Sequence, residues 1–154
     1  MTIEIVSGDL LDALDRGEVH AIGHVVNCQG VMGSGIAKSI KDRYPAVYEE
    51  YRLSFDLGAV NLLGLCQQCF VSSEIGDNRE VFNLHAQFNY GLDKRHLNYG
   101  ALGRCLASMS RQTIHKVVGF PFKMGSDRAG GDWSIVLEMI EFYFKDHTVK
   151  IYKL

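Results

Sequence analysis

Asn27-Cys28-Gln29-Gly30-Val31-Met32-Gly33-Ser34-Gly35-Ile36-Ala37-Lys38 decides the reading of this chain. It follows Ala21 to Asn27, a largely apolar run that reads as a buried strand, and it opens a helix from about Ile36 to Arg43. Glycines permit positive φ and let a ligand come close to the backbone. A helix start adds unpaired N–H groups and the positive end of a dipole. Together these make an anion site, most naturally for phosphate. The spacing is G-x-x-G-x-G, neither the dinucleotide fingerprint G-x-G-x-x-G nor the P-loop with its Gly-Lys-Ser/Thr ending. A tight strand-to-helix turn without a ligand has the same pattern, so a second signal is needed.

That signal lies far along the chain. Val117-Val118-Gly119-Phe120-Pro121 leads into Gly125-Ser126-Asp127-Arg128-Ala129-Gly130-Gly131-Asp132-Trp133 and another helix, for which Asp132 is an N-cap candidate. Two strand–glycine loop–helix units that both open at strand carboxyl ends can converge on one diphosphate. The pairing is more specific than either loop.

Between these units, strand-like and helical patterns alternate. Strands are expected at Thr2 to Val6, Ala21 to Asn27, Leu65 to Ser72, Glu80 to Ala86, Lys116 to Pro121 and Thr148 to Tyr152. Helices are expected at Leu10 to Leu14, Ile36 to Arg43, Ala46 to Leu57 after Pro45, Leu97 to Gln112 and Trp133 to Phe144. The turn Glu74-Ile75-Gly76-Asp77-Asn78 separates the two middle strands and makes them hairpin-like. The order β-α-β-α-α-β-β-α-β-α-β with near-continuous apolar strands predicts a three-layer α/β/α fold. Its sheet is mixed, mostly parallel, of about six strands. Ligands in such folds sit beyond the carboxyl ends of the strands.

The chain has 154 residues, 47% apolar and 22% charged, which fits one globular domain over 1–154 and excludes disorder. Sixteen glycines against two prolines point to special turns rather than low complexity. A net charge of −2 gives no basic surplus for non-specific nucleic-acid binding. The start Met1-Thr2-Ile3-Glu4-Ile5-Val6 carries an acid and no export pattern, and no run approaches the length of a membrane span. Four cysteines make no disulfide scaffold, so free thiols and a cytoplasmic location are expected.

With these residues in place, the sequence resembles the macrodomains, the family that binds ADP-ribose. The matching stretches are Ser7-Gly8-Asp9-Leu10, His24 to Ala37 and Gly125 to Trp133. Asn83-Leu84, Gln87 and Tyr90-Gly91 resemble a stretch common in phage and bacterial members. The resemblance covers nearly the whole chain. It is nearest to the branch of ADP-ribose-1″-phosphate phosphatases and terminal ADP-ribose glycohydrolases, through His24, Asn27-Cys28, Gly30, Gly33, Gly35-Ile36-Ala37 and Arg43-Tyr44-Pro45.

The resemblance implies roles residue by residue. Asp9, beside Leu10, accepts a hydrogen bond from the adenine amino group, or caps the short helix that follows, or both. Asn27 meets the distal ribose hydroxyls, with Gln29 in the same loop; the alternative for Asn27 is a strand-end turn. Gly33, Ser34, Gly35, Ile36 and Ala37 offer backbone N–H groups to the phosphates. Gly125, Ser126, Arg128, Ala129, Gly130 and Gly131 close over the other side. Tyr152 either stacks on adenine or is a core aromatic.

Catalytic candidates are fewer. The glycohydrolase members use a lysine and an aspartate that fall here at Ala86 or Gln87 and at Ala129, so the pair is missing. Asp127 lies two residues before Ala129 and is a candidate acid–base group. A carboxylate beside a diphosphate is repelled unless neutralised, and Arg128 adjoins it; a solvated loop carboxylate is the alternative. His24 titrates near neutrality and matches a histidine of the phosphatase branch. It lies about 10 Å back along the strand from Asn27, and a hydrogen-bonded core histidine is equally consistent. Cys28 has no adjacent base and reads as structural or ligand-lining.

Cys66-Gln67-Gln68-Cys69 is a lone C-x-x-C with no second pair for zinc, and a strand is the wrong setting for a redox motif. Asp93-Lys94-Arg95-His96 reads as a solvated helix entry. The expected activity is hydrolysis of ADP-ribose 1″-phosphate to ADP-ribose and phosphate, with no cofactor, no metal and no membrane, by a monomer. The competing expectations are an ADP-ribosyl hydrolase acting on protein or DNA and a non-catalytic ADP-ribose reader.

Overall fold

The computed structural model describes residues 2–154 other than 57, 59, 60 and 75, with the side chain at position 2 also left aside. The start of the expected domain at Met1, the expected helix end at Leu57 and Ile75 within the middle turn therefore lie outside the described residues.

The elements follow the expected order: β1 (Thr2–Ser7), α1 (Leu10–Arg16), β2 (Ala21–Asn27), α2 (Gly35–Arg43), α3 (Pro45–Asp56), β3 (Cys66–Ser72), β4 (Asn78–Gln87), α4 (Tyr99–Gln112), β5 (Val117–Pro121), α5 (Trp133–Tyr143) and β6 (Thr148–Lys153). They build one six-stranded sheet in the order β1-β6-β5-β2-β4-β3. Every neighbouring pair is parallel except the β3–β4 hairpin.

The apolar strand runs are buried on both faces. β2 is buried at six of its seven positions, and β4 from Arg79 to Ala86. One face carries a core of Phe82, Leu84, Phe120, Val149 and Ile151 under α4 and α5. The other packs Ile22, Val81 and Cys69 against Leu10 and Leu14 of α1 and Ile40 of α2. Tyr51 of α3 and Val26 extend that side. Helices thus cover both faces, as a mostly parallel sheet requires.

Helix ends differ from expectation where caps decide them. Asn98 accepts from the Ala101 N–H at 2.9 Å and starts α4 at Tyr99, while Leu97 stays extended and bridges to Gln87. Helix α1 runs on to Arg16 because Gly17 closes it at φ +80°, a left-handed position that suits glycine. The hairpin reaches back to Asn78, which pairs with Ser72.

The five parallel strands bring Ser7, Lys153, Pro121, Asn27 and Gln87 to one edge of the sheet, in that spatial order. At about 4.8 Å per strand this edge is about 19 Å long. The β2–β4 register slips between Val26 and Asn27, so Asn27 sits opposite Gln87 instead of Ala86. Such a bulge re-aims side chains at a strand end.

Candidate functional site

A cleft of about 900 Å³ lies along that edge. Both glycine loops line it: Gly33 to Ala37 from the first, and Gly125 with Asp127, Arg128 and Ala129 from the second. Asp9 and Leu10 close the β1 end, and Asn27, Gln87 and Tyr90 the β4 end.

The first loop is held by Asn27 and Tyr51. Asn27 Oδ1 accepts from Gln29 N at 2.9 Å and from the Tyr51 hydroxyl at 2.7 Å, and Asn27 Nδ2 donates to Val31 O at 2.8 Å. The Tyr51 hydroxyl also accepts from Val31 N at 3.1 Å. Asn27 is therefore a turn residue, as one reading had it, with one amide hydrogen left for a ligand. Tyr51 is fully buried on α3, twenty-four positions from Asn27, and no local pattern marks it.

Ser34 is the N-cap of α2, yet its side chain makes no capping hydrogen bond, and no acidic residue sits in the first turn. The first N–H groups of α2 therefore face the cleft without a protein anion. Gly35 has φ +59° and open space where a Cβ would project, so a ligand can reach its backbone. Asp9 uses Oδ1 to cap α1, accepting from Leu11 N at 2.9 Å and Asp12 N at 3.0 Å. Its Oδ2 makes no hydrogen bond among the described residues, so capping and ligand contact are compatible.

The second loop folds back on itself through Gly131 N to Gly125 O at 3.0 Å and Ser126 N to Lys123 O at 2.9 Å. Ala129 O accepts from His96 N and Leu97 N at 2.8 and 3.1 Å, so the 93–97 segment buttresses this loop. A Cβ on Gly131 would clash with Leu97 Cδ2 and meet Gly125 O at 2.7 Å. Gly130 and Gly131 thus serve the loop's own packing, and neither they nor Ser126 line the cleft. Asp132 caps α5 through Ser134 N at 2.9 Å, so that helix start is occupied by its own carboxylate. Gln29 is also turned aside, its Nε2 donating to Phe88 O at 2.9 Å.

Asp127 and Arg128 are exposed on the cleft wall, and neither makes an ion pair among the described residues. His24 is not in the cleft. It is fully buried, and its Nε2 donates to Asn83 Oδ1 at 2.6 Å. An amide oxygen only accepts, so the proton is on Nε2, and Nδ1 has no partner among the described residues. Burial holds His24 down to about 4, so the ring is neutral at physiological pH. The expected catalytic role for His24 is corrected: it is a hydrogen-bonded core histidine and cannot touch a ligand in the cleft.

Tyr152 lines the β1–β6 end but is 6% exposed and packs among the α1-side core residues, its hydroxyl 3.3 Å from Glu18 Oε1. Cys28 is buried off the cleft, and burial pushes its thiol up to about 11. Cys66 and Cys69 belong to the cores on opposite faces of the sheet, so they cannot share a metal or a disulfide. Among the described residues no group of three or more His, Cys, Asp or Glu is placed to hold a metal. No helix among them is long and apolar enough to cross a membrane.

Phe122, Lys123 and Lys153 line the cleft and were not singled out from the sequence. The rule that ligands meet strand carboxyl ends reaches them, since they follow Pro121 and Tyr152.

No family model matches the chain. It is 25% identical over 149 residues to an uncharacterized 17.5 kDa protein of Enterobacteria phage T4, covering 93% of this chain and 90% of that one. Shorter matches are 49% identical over 47 residues to ADP-ribose 1″-phosphate phosphatase of Neosartorya fischeri and 43% over 56 residues to DNA ADP-ribosyl glycohydrolase of Mycobacterium tuberculosis. These span 30% and 36% of this chain, and 22% and 15% of those relatives. Among solved structures, a Bacteroides thetaiotaomicron protein of unknown function has TM-score 0.84 at 28% identity over 100% of this chain and 99% of its own. A macrodomain protein from Streptomyces coelicolor has TM-score 0.76 at 28% identity, covering 99% of each. Thermosipho africanus DarTG in complex with ADP-ribose has TM-score 0.78 at 18% identity, over 99% of this chain and 41% of that one. By its six-stranded sheet and its likeness to the Streptomyces macrodomain, the chain has the macrodomain fold.

Proposed function

We propose that the cleft binds ADP-ribose derivatives and that the chain hydrolyses ADP-ribose 1″-phosphate to ADP-ribose and phosphate. The observation that carries the reading is the pair of glycine loops on one 900 Å³ cleft, with the uncapped start of α2 between Asp9 and Asn27. An extended nucleoside diphosphate sugar matches an edge about 19 Å long. Adenine lies at Asp9, the diphosphate at Ser34 to Ala37, and the distal ribose at the Asn27 loop.

Hydrolysis needs a water made nucleophilic and charge offset on the phosphoryl oxygens. Asp127 takes the proton from the water as it attacks phosphorus. The P–O bond to the anomeric oxygen breaks, and that oxygen leaves with a proton from solvent. Arg128 and the backbone N–H groups of the first loop offset the phosphoryl charge. With His24 buried away and Asp9 at the adenine end, Asp127 is the carboxylate left to act as acid–base group, and the enzyme is slow.

A second reading has one observation behind it. Tyr90 and Leu92 are 53% and 78% exposed at the cleft mouth, an apolar rim suited to a macromolecule that carries ADP-ribose. The local likeness to the mycobacterial glycohydrolase points the same way. The test is product analysis with two substrates. Phosphate from ADP-ribose 1″-phosphate, lost in Asp127→Asn, supports the phosphatase. Free ADP-ribose from modified DNA or protein without phosphate release supports the second reading. Binding of ADP-ribose with neither product leaves a reader.

A further inference from the structure

Phe122 stands just past the end of β5 and lines the cleft. Two ammonium groups lie over its ring: Lys153 Nζ at 4.8 Å from the centroid and Lys123 Nζ at 5.8 Å. Neither lysine makes an ion pair with a carboxylate among the described residues. Lys123 has φ +59° and is the one non-glycine residue at positive φ among those described. It occupies the third position of the turn closed by Met124 N to Pro121 O at 3.1 Å, where glycine or asparagine costs less. A long cation held in a strained backbone on a cleft wall is the kind of outlier that marks a ligand contact.

The position says which end of a ligand these cations meet. Lys153 O accepts from Gly8 N at 2.9 Å, next to Asp9. The first glycine loop and α2 lie beyond β5, on the β2 side. Resting on the reading of the cleft given above, we infer that Lys123 and Lys153 form an anion subsite for a phosphate carried on the adenosine ribose of the ligand. Lysine is a compact point charge suited to a phosphomonoester. The Phe122 face holds both ammoniums in place until the anion arrives. The diphosphate of the same ligand stays on the α2 loop, so the two anions do not compete.

The test is calorimetry at low salt with ADP-ribose and ADP-ribose 2′-phosphate, on the wild type and on a Lys123→Gly, Lys153→Gln variant. Lys123→Gly alone is expected to keep or raise thermal stability, since glycine relieves the left-handed position. The 2′-phosphate should tighten binding by about ten-fold in the wild type, and the preference should vanish in the double variant and in high salt. Adenosine 3′,5′-bisphosphate against AMP is the arm for a 3′-phosphate; a preference in either arm supports the subsite and identifies its source. Equal affinity with and without the extra phosphate in both arms overturns the inference while leaving the cleft assignment intact. So does a variant that weakens ADP-ribose and its 2′-phosphate by the same factor, because the lysines then serve the diphosphate. Failure of the wild type to bind ADP-ribose at all overturns the cleft reading and this subsite with it.

Discussion

The Tyr51 hydroxyl shares its hydrogen between Asn27 O and Asn27 Oδ1, each at 2.7 Å, and so ties the middle of α3 to the end of β2. The same oxygen accepts from Val31 N, so one buried atom fixes both ends of the 27–31 turn. Tyr51→Phe keeps the ring but leaves buried partners unsatisfied. We expect a loss of about 1–3 kcal/mol in urea denaturation. ADP-ribose affinity should fall in the folded protein as the loop loosens. Unchanged affinity in a stably folded Tyr51→Phe would show that the loop does not depend on this tie.

Ser34→Asp separates stability from binding at α2. Aspartate supplies the side-chain cap that Ser34 lacks, with an expected gain of about 0.5–1 kcal/mol. The same carboxylate occupies the N–H groups proposed for phosphate, so ADP-ribose affinity should drop by at least about ten-fold. Stability from thermal melts and affinity from calorimetry should therefore move in opposite directions.

Asp127→Asn tests the proposed base. Phosphate release should fall by about 10²–10⁴-fold. ADP-ribose binding should stay level or tighten, because a negative charge beside the diphosphate is removed. A variant that keeps the wild-type rate excludes Asp127 as the proton acceptor.

His24 predicts an acid limb in stability rather than in catalysis. The folded ring takes a proton only near pH 4, against about 6.5 when unfolded, so the unfolded chain binds more protons in between. Stability is present above pH 6.5 and is lost as pH falls towards 4, by about 3 kcal/mol from this residue. Burial lowers His85 in the same direction. Urea midpoints across pH 4–7 should trace that slope, and His24→Gln should flatten it. Turnover per folded molecule should show no ionisation assignable to His24.

The β-α order and the carboxyl-edge cleft were legible because they rest on local signals: apolar runs, paired glycine loops and the caps at Asp9 and Asp132. His24 was misplaced because a strand position does not say which neighbour the ring meets; only the β2–β4 register sets it beside Asn83. Asn27 was read through its loop, yet most of its bonding capacity goes to Val31, Gln29 and the distant Tyr51. Gly130 and Gly131 looked like ligand-facing glycines, whereas contact with Arg95 and Leu97 across the chain explains them. Phe122 and Lys123 carried no motif, and their place on the cleft follows from β5 and β6 ending side by side.

The most direct measurement is calorimetric titration with ADP-ribose, followed in the same sample by phosphate release from ADP-ribose 1″-phosphate. Saturable one-site binding, with phosphate release that Asp127→Asn lowers by about 10²-fold or more, is the predicted result. No binding of ADP-ribose would contradict the assignment of the cleft, and binding without phosphate release would contradict the phosphatase.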